Sequence, residues 1–246
     1  MPGLLTSSYG LISRGQPQPT LDGIEGEQRL TRFRENVAAI LSPTKHVLSD
    51  EGAYYTAVDS AGRATAAAPT TYSDTAPLLA IQNLDSQTNT TARRIYLDYI
   101  RGVETAAGTA GTTFQIQLKI DSTTRGLSAG NAVTPLNVNM DVGFQSIGKM
   151  TTFPTTTATG ATSRTIVANM TAIPAVTAPI GVGSEFTIFF GGDTAKAFGA
   201  SGTAGFAAST APPIILGPGQ IIVVNFQILA QSATSSWQLE AGWWER

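Results

Sequence analysis

Apolar and polar residues alternate through most of the chain beyond Ala76. The pattern is clearest where Phe114, Ile116, Leu118 and Ile120 interleave with Gln115, Gln117, Lys119 and Asp121. It recurs with Ile95, Leu97 and Tyr99 against Tyr96, Asp98 and Ile100, and with Trp237, Leu239, Ala241 and Trp243 against Gln238, Glu240, Gly242 and Trp244. A period of two sends successive side chains to opposite faces, so these runs predict strands with one buried face. The expected strands are Leu78–Leu84, Arg93–Val103, Thr113–Asp121, Val133–Met140, Arg164–Met170, Glu185–Phe190, Pro213–Leu216, Gln220–Leu229 and Ser235–Trp244. Roughly eight major strands separated by Gly-, Thr- and Ala-rich turns predict an all-β fold, best fitted by a jelly-roll β-sandwich. There is no internal repeat, which sets propeller and solenoid architectures aside.

The first 75 residues read differently. Residues 1–24 are polar and rich in Gly and Pro, as expected of an extended arm. From Glu25 to Leu41 the apolar period changes to that of a helix, with Leu30, Phe33, Val37 and Leu41 on one face. Glu25 and Glu27 suit the helix start, and Ser42-Pro43 ends it. Those four apolar residues are the candidate protein-interface site, a face for docking on another protein. Tyr54–Val58 has the composition of a short strand, and Ala61–Pro69 that of a low-complexity linker. The expected organisation is therefore residues 1–75 as arm, docking helix and linker, and residues 76–246 as the sandwich. The connections after Val103, Met150 and Gly191 are long.

Composition narrows the function classes. Charged residues make up only 13% of the chain, about half the usual ~25%, so Thr, Ser, Gln, Asn and Gly supply most of the surface polarity. Such a surface suits packing against other subunits, because interface cores are depleted in charge. The net charge of -2 does not favour general attraction to nucleic acid. The absence of Cys excludes disulfides, thiolate metal sites and cysteine nucleophiles. No run approaches the ~18 apolar residues of a membrane helix, and the longest, Phe206–Val224, is broken by Pro212, Pro213, Gly217, Pro218 and Gly219. Met1–Leu5 has neither a basic region nor a continuous apolar core, so no secretory signal is expected.

Candidate chemistry is sparse. His46 is the one histidine, no Gly-x-Ser-x-Gly elbow accompanies it, and zinc would need further His or Cys ligands. Carboxylates are scattered, and a glycosidase would require two of them across a cleft, for example Asp98 with Asp121. Asn137, Asn139 and Asp141 echo a calcium loop, but the glycine falls one place late and the closing Glu is missing, so a polar strand face is the simpler account. The Gly199–Gly205 stretch lacks the Lys of a phosphate loop. Asn89-Thr90-Thr91 and Asn169-Met170-Thr171 match the glycosylation pattern by chance in a Thr-rich chain. In the arm, Arg14, Arg29, Arg32, Arg34 and Lys45 are offset by Asp22, Glu25, Glu27, Glu35 and Asp50, so direct nucleic-acid contact is not expected. Arg93, Arg94 and Arg101 form the other basic group. No catalytic residue, cofactor or metal is expected.

The C-terminal block carries a family resemblance. Pro212-Pro213-Ile214-Ile215-Leu216-Gly217-Pro218-Gly219-Gln220, a following strand, and Trp237…Glu240-Ala241-Gly242-Trp243-Trp244-Glu245-Arg246 resemble the ends of tailed-bacteriophage virion structural proteins, β-rich capsid-decorating (cement) or fibre proteins. The resemblance covers about the last seventh of the chain, by the spacing of Pro, Gly and Trp in a strand–turn–strand signature. It implies a non-enzymatic protein of the virion, assembled in the host cytoplasm. Its expected partners are itself, as a homotrimer, and the major capsid protein or another virion protein, with no membrane involved. A receptor- or glycan-binding tail or fibre module using the long loops, with Phe153, Phe198 and Phe206 as its aromatics, is the alternative. A single-jelly-roll capsid protein is another.

Overall fold

The computed structural model describes residues 49–64, 70–86, 92–106, 113–123, 125–141, 143–156, 163–174, 182–191, 206–229 and 234–246. They form fifteen strands: β1 Tyr54–Ala64, β2 Leu79–Asn83, β3 Ile95–Ala106, β4 Thr113–Asp121, β5 Leu127–Ser128, β6 Asn131–Val133, β7 Leu136–Asn137, β8 Gly148–Thr152, β9 Thr155–Thr156, β10 Arg164–Pro174, β11 Glu185–Phe190, β12 Phe206–Ala211, β13 Ile215–Leu216, β14 Ile221–Leu229 and β15 Ser236–Glu245. The all-β expectation holds. The helix over Glu25–Leu41, with Leu30, Phe33, Val37 and Leu41, lies outside the described residues.

Two sheets make the body. One runs β12-β11-β3-β15-β1-β7, with β13 also on β3; the other runs β10-β4-β14-β2-β8-β6. A small β5–β9 ribbon stands apart. Among the long strands all pairings are antiparallel, and β11–β12 is the one parallel pair described. The chain passes between the sheets repeatedly, so strands adjacent in sequence commonly sit in different layers. Their apolar faces meet in one core. Phe114 of β4 stacks across the gap on Trp237 of β15 at 4.7 Å and on Phe186 of β11 at 5.3 Å between ring centroids. Aromatic contacts of this kind add to simple area burial.

Three local outcomes differ from the periodic reading. First, β1 lies between β15 and β7, so the sheet begins at Tyr54 and takes in half of the expected linker, upstream of Ala76. Its pattern is obscured because Asp59 points inward and the pairing slips between Asp59 and Arg63. Second, β3 changes phase. Ile95 and Leu97 face the core, but the register with β15 shifts at Asp98, and beyond it Ile100, Gly102 and Glu104 are buried while Tyr99 turns to the other face. One inserted residue flips every later side chain. Third, the run expected from Val133 to Met140 is cut into β6 and β7, with Pro135 between them.

The six-stranded sheet is covered on both faces, which explains the unbroken apolar run Ile221-Ile222-Val223-Val224 in β14. Ala80, Ile221 and Val223 pack outward under Leu127 of the β5–β9 ribbon. That cover is pinned by polar contacts. Arg125 donates to Asp121 at 3.0 Å, Lys119 to Asp74 at 2.7 Å, Asn225 to Asp74 at 3.0 Å, and Gln82 to the Arg125 carbonyl at 2.9 Å.

Candidate functional site

The structure separates the groups that chemistry would need together. Asp98 lies on β3 in one sheet and accepts the Tyr54 hydroxyl at 2.8 Å, while Asp121 lies on β4 in the other and is paired with Arg125. They are not a cross-strand acid pair. Among the described residues no three His, Asp or Glu side chains gather as a metal site. Asn137, Asn139 and Asp141 do not share a strand face, because β7 ends at Asn137. Instead Asn137 Oδ1 accepts from the Asn139 N–H at 2.9 Å, and Asn139 Oδ1 from the Asp141 N–H at 3.0 Å. These are successive turns in which a short side chain stands in for a backbone acceptor. The Arg93/Arg101 group is likewise dispersed: Arg93 pairs with Glu245 at 3.2 Å, and Arg101 with Glu185 and, at 3.8 Å, Glu240. His46 and Gly199–Gly205 lie outside the described residues.

One side of the sandwich holds an open groove of about 620 Å³ lined by Ala61, Gly62, Arg63, Ala129–Asn131, Thr152, Phe153 and Thr155. Ala129 and Phe153 on its wall have φ of 55° and 45°, a left-handed conformation that costs non-glycine residues energy. Beside it sits the buried Asp59 carboxylate, which accepts from Arg63 Nε at 2.8 Å, Asn131 Nδ2 at 3.1 Å, the Ala61 N–H at 3.3 Å and the Thr152 hydroxyl. Burial pushes this carboxyl up, but the four donors together outweigh burial and hold it below its ordinary range.

Glu104 is the opposite case. Its side chain faces the core beside Trp237, its partner in register on β15. It is 1% exposed, and neither carboxyl oxygen has a hydrogen-bond partner. Burial alone pushes its pKa up to about 8, so it is a neutral acid at pH 7. Periodicity could not have found it, because the phase change at Asp98 decides which way Glu104 points.

On the outer face of the seven-stranded sheet, Tyr96, Trp244 and Tyr54 from three neighbouring strands stack in a row, at 6.0 and 6.5 Å between centroids. The rings cover one another's faces, so the row is a sheet-stabilising ladder rather than a flat platform for a sugar. Tyr99 lies on the same face, its phenol pushed up to about 12 by burial and then by Glu240. Of the loop aromatics, Phe153 is half-buried on the groove wall and packs edge-on against Phe226 at the margin of the core, whereas Phe198 and the Phe206 side chain are outside the described set.

The C-terminal block ties the two sheets together. Glu245 of β15 accepts from the Ile147 N–H at 3.1 Å, the Gly148 N–H at 3.2 Å, Trp243 Nε1 at 3.1 Å and the Ser146 hydroxyl. Gly148 lies so close to the Trp243 ring that an added Cβ would stand 2.8 Å from Cζ2. These residues serve the fold.

What remains open is apolar surface at the β1 edge. Leu136 is 67% exposed, Met140 96% and Phe144 64%, with Val138 also exposed, all within nine residues. Leu136 pairs with Thr56, which makes Val58, also exposed, its diagonal neighbour on the outer face. Scattered exposed apolar residues are ordinary, and this group stands out by lying within one short segment and its neighbouring strand. No family model matches this chain, and no curated protein and no solved structure matches it either.

Proposed function

We propose that this protein is a non-enzymatic structural component of a phage virion that self-associates, as a homotrimer, and attaches to or between capsid subunits as a decoration or cement protein. The exposed apolar side chains Leu136, Val138, Met140 and Phe144, with Val58 nearby, carry this reading, since they offer association surface where no metal-binding cluster is assembled among the described residues. Low charge density supports it, because little desolvation of ions opposes packing. The strand order supports a jelly roll: with β6, β7, β8, β12 and β13 set aside as additions at the edges, the sheets read β11-β3-β15-β1 and β10-β4-β14-β2, the interleaving that two Greek keys produce. The resemblance of the Pro212–Gln220 and Trp237–Arg246 segments to virion proteins supplies the setting. The trimer number and the capsid partner come from that resemblance.

A second reading, a receptor- or glycan-binding module, is favoured by one observation, the groove walled by the strained Ala129 and Phe153. Light scattering of the purified chain at two salt concentrations separates the two. Three copies of the 25.6 kDa chain, about 77 kDa and insensitive to salt, support the assembly reading. A monomer that retains a glycan in an array screen overturns it in favour of the groove.

A further inference from the structure

We infer that Lys119, Asp74 and Asn225 form a self-cross-linking site, in which the Lys119 amine displaces ammonia from the Asn225 carboxamide and leaves an isopeptide bond between β4 and β14. The inference goes beyond the assembly proposed above and does not depend on it. The reaction is a single event of the chain on itself, not turnover of a substrate.

The ladder brings the three groups together. Ile116 and Leu118 of β4 and Val224 and Phe226 of β14 face the core, so Lys119 and Asn225 lie on the opposite face of the same sheet. Lys119 is in register with Val223, and Asn225 with Gln117, which makes Lys119 and Asn225 diagonal neighbours on adjacent strands. Diagonal positions are about 7–8 Å apart, within reach of a lysine side chain. Asp74 arrives from the segment before β2. Its backbone is fixed through its carbonyl, which accepts from the Thr156 hydroxyl and from Arg125 Nη1 at 3.4 Å. Its carboxylate takes both reacting groups on one oxygen: Oδ1 accepts from Lys119 Nζ at 2.7 Å and from Asn225 Nδ2 at 3.0 Å. A carboxylate in contact with both a nucleophilic amine and the nitrogen of a leaving group is placed to carry a proton from one to the other.

The surroundings suit this chemistry. Asn225 is fully buried, at the end of the apolar run Ile221–Val224, and the Lys119 side chain is 17% exposed. Leu127 covers Ala80, Ile221 and Val223 on the same face. Such cover limits the access of competing water to the carboxamide. Asn225 Oδ1 is buried with no hydrogen-bond partner, and so is Gln117 Oε1 on the residue directly across the ladder. Two bare acceptors side by side are costly in a folded chain. A half-turn of the Gln117 amide aims its Nε2 at Asn225 Oδ1, where negative charge develops during attack.

The step balances without any co-reactant. A proton passes from the Lys119 ammonium to Asp74. The freed lone pair on Nζ bonds to Asn225 Cγ, and the carbonyl electron pair moves onto Oδ1. Asp74 gives its proton to Nδ2 and takes a second one from Nζ. The pair on Oδ1 returns, the Cγ–Nδ2 bond breaks and ammonia leaves. The products are a secondary amide, ammonia and a protonated Asp74, which then exchanges its proton with water.

Intact-mass spectrometry of the full-length chain, as purified and after incubation in neutral buffer, tests this, with tryptic mapping of the same samples. The expected result is a chain lighter by one ammonia, lost cleavage after Lys119, and a branched peptide joining Lys119 to Asn225. Lys119→Arg keeps the positive charge and should keep the ammonia, and Asp74→Asn should slow the loss by ~100-fold. The wild-type mass decides the matter even where a variant fails to fold. An unchanged wild-type mass after prolonged incubation overturns the inference. So does an ammonia loss that persists in Lys119→Arg, which marks simple asparagine deamidation. Loss of water with a Lys119–Asp74 branch also overturns it, because Asp74 is then the electrophile and Asn225 a bystander.

Discussion

Replacing Glu104 by Gln should remove most of the pH dependence of this protein's stability between pH 5 and 9. Burial pushes the Glu104 carboxyl from its ordinary 4.5 to about 8 in the folded chain. Below pH 4.5 the folded and unfolded states both hold the proton. Between 4.5 and about 8 the folded state holds it and the unfolded state does not, so stability is lost as pH rises through that window. Each pH unit costs ~1.4 kcal/mol, and the whole window costs on the order of 5 kcal/mol. That is a large share of the 5–15 kcal/mol by which domains are stable, as expected for a carboxylate with no partner to offset its desolvation. A domain of this size loses ~2–4 °C of Tm per kcal/mol, so the melting temperature should fall by about 10 °C from pH 5 to pH 8 and then level off. Gln is also polar and unpartnered there, so Glu104→Gln should match the wild type within ~1 kcal/mol at pH 5 and exceed it at pH 9. Thermal unfolding followed by circular dichroism in half-unit pH steps reads both curves. Parallel wild-type and Glu104→Gln profiles from pH 5 to 9 would refute the argument, and Glu104→Leu checks that the flattening follows loss of the titrating group.

Three further outcomes follow from the packing. Glu245→Ala leaves the Ile147 N–H and Trp243 Nε1 without their carboxylate acceptor and removes the ion pair to Arg93, so urea unfolding should show a loss of ~3 kcal/mol. Gly148→Ala drives a methyl to within 2.8 Å of the fully buried Trp243 ring, and should cost ~1–3 kcal/mol with a change in the near-ultraviolet tryptophan bands; an unchanged midpoint would mean that the ring yields freely. Asp59, held below its ordinary 3.8, contributes stability above that value that is lost as pH falls through its lower folded value, so Asp59→Asn should flatten the acid limb of the Tm profile below pH 4.

The strand content was legible because alternation is local. Thr113–Asp121 and Glu185–Phe190 occur where the period of two places them, and β15 buries Trp237, Leu239, Ala241 and Trp243 as its pattern requires. What escaped was set by partners distant in sequence. β1 is a strand because β15 pairs with it some 180 residues later, and its own pattern is broken by Asp59, whose inward turn is tolerated because Asn131 and Thr152 arrive from elsewhere in the chain to join Arg63 of the same strand. β12 fell inside a stretch read as a long loop and β8 straddles the start of another, since Gly148–Thr152 and Phe206–Ala211 carry little apolar alternation and are completed by β2, β6 and β11.

The sequence by itself determined the class of this protein: two-residue alternation, Gly/Thr turns and low charge require strands with one face buried and a surface short of ions. It also ruled out cysteine chemistry and left too few histidines for a zinc site. Only the tertiary structure decided which residues face inward after a bulge, and thereby made Glu104 a neutral buried acid. The same structure set Phe153 against the margin of the core, dispersed the carboxylates over two sheets, and left Leu136, Val138, Met140 and Phe144 exposed. The physical reason is that burial is a property of the assembled sheets: a one-residue slip in pairing exchanges core for surface, and no local pattern records where that slip occurs.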